Sequence, residues 1–585
     1  MFLSALQSGS DTYRLWHRFS MPTEGGSKDA IAVPSKVGNQ LNSAYTFMLG
    51  LIVGEIWAAI LLFGLLLSVR KAKNSHNTTV INTGIWNTKD SPFSVLKLVT
   101  TYFVKLRRER RFLLLLWVFL ALATLVIGYA LPIEVAPLIL LGNAAPVSPT
   151  AIYVPNIDND SLPYQLQVNA IEAPSALRAA GSAQAANAST NAKISIGQPE
   201  IIGEYGEGEK IMRIGYGYSI KGVDFGLQHY GDLELQVEGS CITEYGWLNS
   251  SYDNPQGSHF VEDVYNYFGD SSIQQSVSLY DGAVPLAYFR VGDDSPTGPA
   301  GNLTWAAIIS SVNRSSYTPS TDPWYRTVRN TDTAVLADGT ARDAPYTVKS
   351  GRPALSCWQN DVWSYGHHNS NIANLDLKAL PGLNMSIYLQ DVFFQYLGEP
   401  KIVPLGTSLG ASSLQSAASS LGEVFDAGAS SLHADLERLV LASYIASTNF
   451  LTDTTLYPMN RGTVPNDVLG ANNQTLPGVA EFVVWSTDVQ ALSVRSIIII
   501  PVVTFVLFVA VSLLTNQTSW HQLQAFNATV LYSCLHEEIA NRPEFEWKRE
   551  GDTPYINQGD VEQGAIRPVY NRHSRTLSWR SGEGG

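Results

Sequence analysis

Charge nearly disappears from three long stretches of the 585-residue chain. The first runs from Ala44 to Val69 (AYTFMLGLIVGEIWAAILLFGLLLSV), the second from Phe112 to Leu131 ahead of Pro132, and the third over residues 495–515. At a rise of about 1.5 Å per residue, each suits a hydrocarbon layer about 30 Å thick. Runs this long with so few charges predict three transmembrane α-helices rather than buried core helices.

Between the second and third runs the pattern changes. From Ile194 to Trp247, short segments rich in Ile, Val, Tyr and Gly alternate in the manner of strands, as in IMRIGYGYSI and GDLELQVEGSCI. SVSLYDGAVPLAYFRV and LTWAAIISSV continue the strand pattern to about residue 312. Further on, Leu432, Leu436, Leu439, Val440 and Ile445 recur on one helical face, and the preceding ASSLQSAASSLGEVF also reads as helix. The predicted fold class is thus a membrane protein with three transmembrane α-helices and a large α+β ectodomain, strand-rich in its first part and helical later. The corresponding division is an N-terminal segment 1–43, span 44–69, a basic loop 70–111, span 112–131, and an Ala-, Pro- and Ser-rich stalk or linker 132–194. The ectodomain 195–494, span 495–515 and a partly disordered tail 516–585 follow.

Basic residues set the direction. Arg70, Lys71 and Lys73 open the first loop and Lys105, Arg107, Arg108, Arg110 and Arg111 close it, which keeps that loop in the cytoplasm. The ectodomain then lies outside a plasma membrane or in the lumen of the secretory pathway, and no cleaved signal peptide is expected. N-x-S/T sequons at Asn159, Asn187, Asn249, Asn302, Asn313, Asn384 and Asn473 lie on that side, with others at Asn77, Asn516 and Asn527 on the inner side. Of the three cysteines, Cys241 and Cys357 fall in the oxidising compartment and are expected to pair, leaving Cys534 inside. A net charge of -13 without a basic face implies no nucleic-acid partner.

Within the first span, Gly50, Gly54 and Ala58 form a smooth helical face for packing on another span or on a second copy. Glu55 lies roughly 10 to 16 Å inside the membrane, so it is expected to be protonated at a helix interface or to serve a transporter or channel subunit.

The strongest enzymatic lead is Gly406-Thr-Ser408-Leu-Gly410, a G-x-S-x-G string after the apolar KIVPL, with Asp426 and His433 downstream as the remaining members of a triad. His433 follows by only 25 positions within a predicted helix, which argues against that hydrolase arrangement. Asp158 and Asp160 could bind a divalent cation but suit a turn equally. His367 and His368 are adjacent and lack further ligands, so no metal site and no cofactor is expected. Tyr245, Trp247, Trp358, Trp363 and Tyr365 near the cysteines form either a sugar-stacking platform or core packing. In the tail, residues 520–540 read as an amphipathic helix, and Arg575-Thr-Leu-Ser578 carries the arginine that basic-directed kinases prefer.

The stretches Ala354-Leu-Ser-Cys-Trp-Gln-Asn-Asp-Val-Trp-Ser-Tyr365 and Phe425-Asp-Ala-Gly-Ala-Ser-Ser-Leu-His-Ala-Asp-Leu-Glu-Arg-Leu-Val-Leu-Ala-Ser-Tyr444 resemble a family of filamentous-fungal multi-span membrane proteins with a large glycosylated ectodomain. That resemblance implies the layout above and carries no activity or ligand. The leading expectation is a non-catalytic, receptor-like surface protein whose partners are the lipid bilayer, a cell-wall polymer or protein ligand, and a second copy through the first span. A membrane-anchored ectoenzyme at Ser408 and a transporter or channel subunit at Glu55 are the alternatives.

Overall fold

The computed structural model describes residues 8–71, 91–103, 111–253 (except 160, 187 and 207), 260–280, 286–292, 302–310, 315–329, 344–371 (except 350), 380–457 (except 422–423), 464–516 and short tail segments between 547 and 580. They divide into two compact units, Met1–Ser35 with Gly142–Ala491, and Lys36–Leu141 with Leu492–Gly585.

In the second unit, helix α1 spans Ser35–Lys71, α2 Pro92–Phe103 and α3 Arg111–Ile139, and a last apolar helix covers Val494–Asn516. Among the described residues, three stretches are long and apolar enough to cross a membrane: Ser35–Gly64, Leu115–Ile139 and Val494–Thr515. Trp57 of α1 meets Trp117 of α3 edge to face at 6.4 Å. Around them close Leu61, Val95, Val99 and Ala121. Gly64 permits this approach, because a Cβ there would lie 2.6 Å from the Trp117 ring. Tyr45 Oη donates to the Ile497 carbonyl at 3.3 Å and Ser496 Oγ to that of Leu138 at 2.8 Å, tying the last helix to the other two.

Two expectations are corrected here. The loop 70–111 contains α2, whose wholly buried Val95 and Val99 join the core of the spans. The apolar helix expected to stop at Pro132 does not: α3 runs through Pro132 and Pro137 to Ile139. Proline is tolerated in such helices because neighbouring groups re-satisfy the freed backbone.

The other unit opens on the antiparallel hairpin β1 (Arg18–Met21) and β2 (Lys28–Pro34), in the N-terminal segment where no element was expected. Helix α4 (Leu162–Gln184) occupies the expected stalk, yet Val168, Ile171, Ala176, Ala179 and Ala180 on it are buried in the same compact unit. The strands are β3 (Ile194–Ile196), β4 (Glu200–Tyr205), β5 (Glu209–Lys221), β6 (Glu234–Glu244), β7 (Leu248–Asp253), β8 (Phe260–Asn266), β9 (Gln274–Tyr280), β10 (Leu286–Gly292), β11 (Leu303–Ser310), β12 (Ala354–Tyr365) and β13 (His368–Asn371). Helices α5 (Ile387–Leu397), α6 (Ile402–Leu409) and α7 (Leu432–Thr454) follow, then β14 (Val489–Ser493) beside β2. The tail's described strands include Thr576–Arg580, which holds Ser578 and pairs with Arg567–Asn571; the stretch 520–540 and Cys534 lie outside the described residues.

The main sheet is antiparallel, in the order β10-β11-β12-β6-β5-β3, with β13 beside β12 and β4 beside β5. Strict alternation on β6 and β12 turns Leu235, Val237, Gly239 and Cys241 inward, opposite Trp363, Asp361, Gln359 and Cys357. Cys241 and Cys357 face each other directly, at a Cα separation of 4.1 Å, and form a disulfide. On β5, Tyr216 lies across Gly239, where a Cβ would come within 2.3 Å of the ring; only glycine leaves that room. Helix α7 covers this face, with Tyr444 edge-on to Tyr218 at 5.7 Å, and Phe450 joins Phe225 and Phe393 around Trp363. A smaller sheet β9-β8-β7 packs around Trp247, Tyr265 and Tyr267.

The disulfide links positions 116 residues apart, so breaking it frees a long loop in the unfolded chain. Cys241→Ser is expected to cost about 2–5 kcal/mol, read as a lower thermal midpoint of the purified protein; an unchanged midpoint would contradict the bond's structural role.

Candidate functional site

Three groups of titratable side chains lie inside the sheet unit. The first crosses the inner face of the main sheet. Trp305 Nε1 donates to Tyr216 Oη at 3.1 Å, Tyr216 Oη donates to Gln359 Oε1 at 2.9 Å, and Gln359 Nε2 donates to Asp361 Oδ1 at 2.8 Å. Register alone assembles this chain, since Gly239 stands between Tyr216 and Gln359 on the same row. Burial pushes the Asp361 carboxyl up to about 7 and raises the Tyr216 phenol.

The second group sits at the start of α7. Ser431 Oγ accepts from Ala434 N at 3.1 Å as the N-cap, while Asp322 accepts from Leu432 N at 3.0 Å. One turn on, the wholly buried Asp435 accepts from Ser416 N at 2.9 Å and from Tyr325 Oη. Burial lifts Asp435 to about 7 and Asp322 to about 6, and lowers Arg352 to about 10.

The third group joins α4, α5 and α7. Arg178 Nη2 pairs with Asp453 Oδ1 at 2.6 Å, and Lys401 Nζ stands 5.1 Å over the Tyr396 ring. Glu172 is raised and Lys401 lowered by burial, each opposed by the charge of the other. These three groups hold protons and fix geometry within the fold; strand alternation over 354–365 placed Asp361 and Gln359 on Trp363's face and was the signal available for them.

Ser408 does not sit on a nucleophile elbow. It is exposed within α6, since KIVPL begins a helix instead of a strand, and Pro404 near its start is compatible with that. Asp426 is engaged by Thr318 Oγ1 at 2.6 Å and Ala429 N at 3.1 Å, and His433 Nε2 has no hydrogen-bond partner, so the three expected triad members are not joined. The stretch 411–425, expected as helix, instead forms two 3-10 turns and short strands over its described residues, 411–421 and 424–425. Asp158 accepts from Asn156 Nδ2 at 3.1 Å, and Asp160 lies outside the described residues. His367 lies in the turn between β12 and β13 and His368 opens β13, both exposed, and among the described residues no three His, Cys, Asp or Glu side chains group as metal ligands. Tyr245, Trp247 and Trp363 are buried; Trp358 and Tyr365 are partly so. Asn159, Asn249, Asn384 and Asn473 are exposed and Asn302 is half-buried, while Asn187 and Asn313 lie outside the described residues. Gly50 and Gly54 have nothing within 4 Å of an added Cβ, and Glu55 and Ala58 on α1 are half-buried.

An α+β domain built on one disulfide-joined antiparallel sheet, in a chain with three helices long and apolar enough to span a membrane, is the class these features define. Residues 173–484 match the family described as Domain of unknown function (DUF8406), and the chain belongs to that family. No curated protein and no solved structure matches.

The match begins within α4, so it contains the first two buried groups whole and all of the third except Glu172. Because the folded state keeps the Asp361 proton up to about pH 7 while the unfolded chain releases it near 3.8, the fold binds more protons between those values. Stability is therefore expected to fall as pH rises from about 4 to 7. Asp361→Asn should reduce the stability difference between pH 5 and pH 8 by at most about 3 kcal/mol, read by denaturation at the two pH values; an unaltered difference would count against a buried, titrating Asp361.

Proposed function

We propose that the protein is a membrane glycoprotein whose sheet unit faces the extracellular or lumenal side and acts as a receptor-like binding domain, not as an enzyme. The observation that carries this reading is where reactive groups lie. Asp361, Asp435 and Tyr216 are enclosed and bonded to protein partners, so their role is internal, while an outward edge of the sheet exposes Ile201, Ile202 and Tyr205 alongside Glu200 and Glu204.

That edge is β4. Ile201 and Tyr205 are about half exposed, Ile202 is exposed beside them, and among the described residues no strand pairs with β4 on the side away from β5. Tyr205 stacks on Tyr245 at 5.1 Å, which holds the end of the strand rigid. A free edge with fixed aromatic and aliphatic side chains suits addition of an extended partner segment. The disulfide and the exposed sequons suit an oxidising, glycosylating compartment.

The full-length protein in nanodiscs is expected to be retained by a wall polysaccharide or a cell-surface protein fraction, and Ile201→Glu with Ile202→Lys to reduce retention at least about tenfold, as loss of a binding hot spot does. Equal retention by the variant would remove the edge from the reading. Ser408→Ala should leave stability within about 0.5 kcal/mol, and a fluorophosphonate probe should leave Ser408 unlabelled; labelling there would favour an ectoenzyme.

A further inference from the structure

Exposure of an asparagine does not by itself make a glycan acceptor, because the N-x-S/T rule also demands the hydroxyl two residues on. At Asn249, Asn302, Asn384 and Asn473 the fold has already engaged that hydroxyl. Ser251 Oγ on β7 donates to Asp263 Oδ1 on β8 at 2.5 Å. Thr304, 3% exposed on β11, donates through Oγ1 to the Gly292 carbonyl on β10 at 3.2 Å. Ser386 Oγ, at the N-cap of α5, donates to the Pro477 carbonyl, and Thr475 Oγ1 to that of Pro149, each at 2.6 Å. Donor and acceptor lie 12, 12, 91 and 326 residues apart in these bonds, so the bonds form only as the chain folds. Packing closes two of the same places further. Tyr230 Oη donates to the Asn384 carbonyl at 2.7 Å, and Asn473, at a φ of 53°, sits in a turn closed by Gly470 N on the Gln474 carbonyl at 2.9 Å. Asn159 differs: its Oδ1 accepts from Ser161 N at 3.0 Å, a bond within the sequon itself, and the exposed Ser161 makes no capping side-chain hydrogen bond at the start of α4.

We propose that folding of the sheet unit withdraws its own glycan acceptors, so that oligosaccharide reaches Asn249, Asn302, Asn384 and Asn473 only on the unfolded chain, whereas Asn159 stays open afterwards. In the transfer, asparagine Nδ2 loses a proton and bonds C1 of a sugar carried on a lipid pyrophosphate; the C1–O bond to the phosphate breaks and the lipid pyrophosphate leaves. A transferase must draw both the amide and the hydroxyl of the sequon into its own site. At the closed sequons that step breaks a hydrogen bond to another strand or loop, and at Asn302 it must also uncover the buried Thr304. At Asn159 it disturbs only a bond internal to the sequon. The inference deepens the glycoprotein reading and rests on its placement of the sheet unit.

That reading is tested separately: it falls if glycosidase leaves the mobility of the protein from cells unchanged. The withdrawal itself is tested on full-length protein made in cells deprived of the lipid-linked donor and purified in detergent. The protein is incubated with oligosaccharyltransferase and a lipid-linked oligosaccharide, either folded or held unfolded by carboxymethylation of Cys241 and Cys357, which sets two charges in the sheet core. Glycopeptides are then quantified site by site. Transfer to Asn249, Asn302, Asn384 and Asn473 is expected to be about tenfold slower or more on the folded protein, the effect of one lost hydrogen bond and its surroundings, with transfer to Asn159 unchanged. Equal rates on both forms at the closed sites, or equal slowing at Asn159, would overturn the proposal. A second measurement needs no unglycosylated protein: reductant given to cells during synthesis delays the Cys241–Cys357 bond, and partial occupancy at Asn302 should rise while that at Asn159 stays constant. No rise at Asn302, or an equal rise at Asn159, would likewise contradict it.

Discussion

The bond between Cys241 and Cys357 joins the two central strands of the main sheet at one register position and so fixes the pairing of β6 with β12. A slip of one residue would turn every inward side chain of β12 outward. With that pairing held, Gln359 falls opposite Gly239 and Trp363 opposite Leu235, and β5 brings Tyr216 to the same glycine from the other side. The polar chain to Asp361 and the aromatic cluster under α7 both follow from that alignment. The bond also supports the proposed placement of the sheet unit, because such a disulfide persists in an oxidising compartment. The basic residues Arg70 to Arg111 support the same proposed orientation by an unrelated physical route, since a basic loop favours the cytoplasmic side.

Hydrophobic contact alone does not describe the interior. Carboxyls at Asp361, Asp435 and Asp453 lie under α7 or on it, each answered by a donor: Gln359, the Ser416 backbone or Arg178. Groups of this kind are costly when unanswered and directional when answered. They orient α7 and α4 on the sheet and leave the outer edge to differ in chemistry from the inside. A rigid scaffold follows whose free edge exposes Ile201, Ile202 and Tyr205, and binding is the use proposed for it.

Much of this was legible in the chain. The three long apolar helices were, because charge is nearly absent over a length that suits a hydrocarbon layer; the strands of 194–312 were, because alternation at period two survives when one face is buried. Cys241 and Cys357 could be paired by compartment. Their register could not, since it depends on the strand order β12-β6-β5, which brings together segments more than 100 residues apart. Helix α2 was hidden by its basic surroundings, although Val95 and Val99 at i and i+4 marked its buried stripe. The stretch 132–194 looked like a stalk because alanines are uninformative about burial until a partner surface, here α7, is known. Ser408 misled for a local reason: an apolar run of five residues before a glycine suits a strand or a helix, and tertiary packing chose the helix.

The central claim is that the disulfide-joined sheet unit and the basic loop lie on opposite sides of a membrane. Protease protection in sealed microsomal vesicles, with antibodies against the sheet unit and against the C-terminal tail, measures this directly. The expected result is a protected sheet-unit fragment and a digested tail until detergent opens the vesicles. Digestion of the sheet unit in intact vesicles, with the tail protected, would contradict the account.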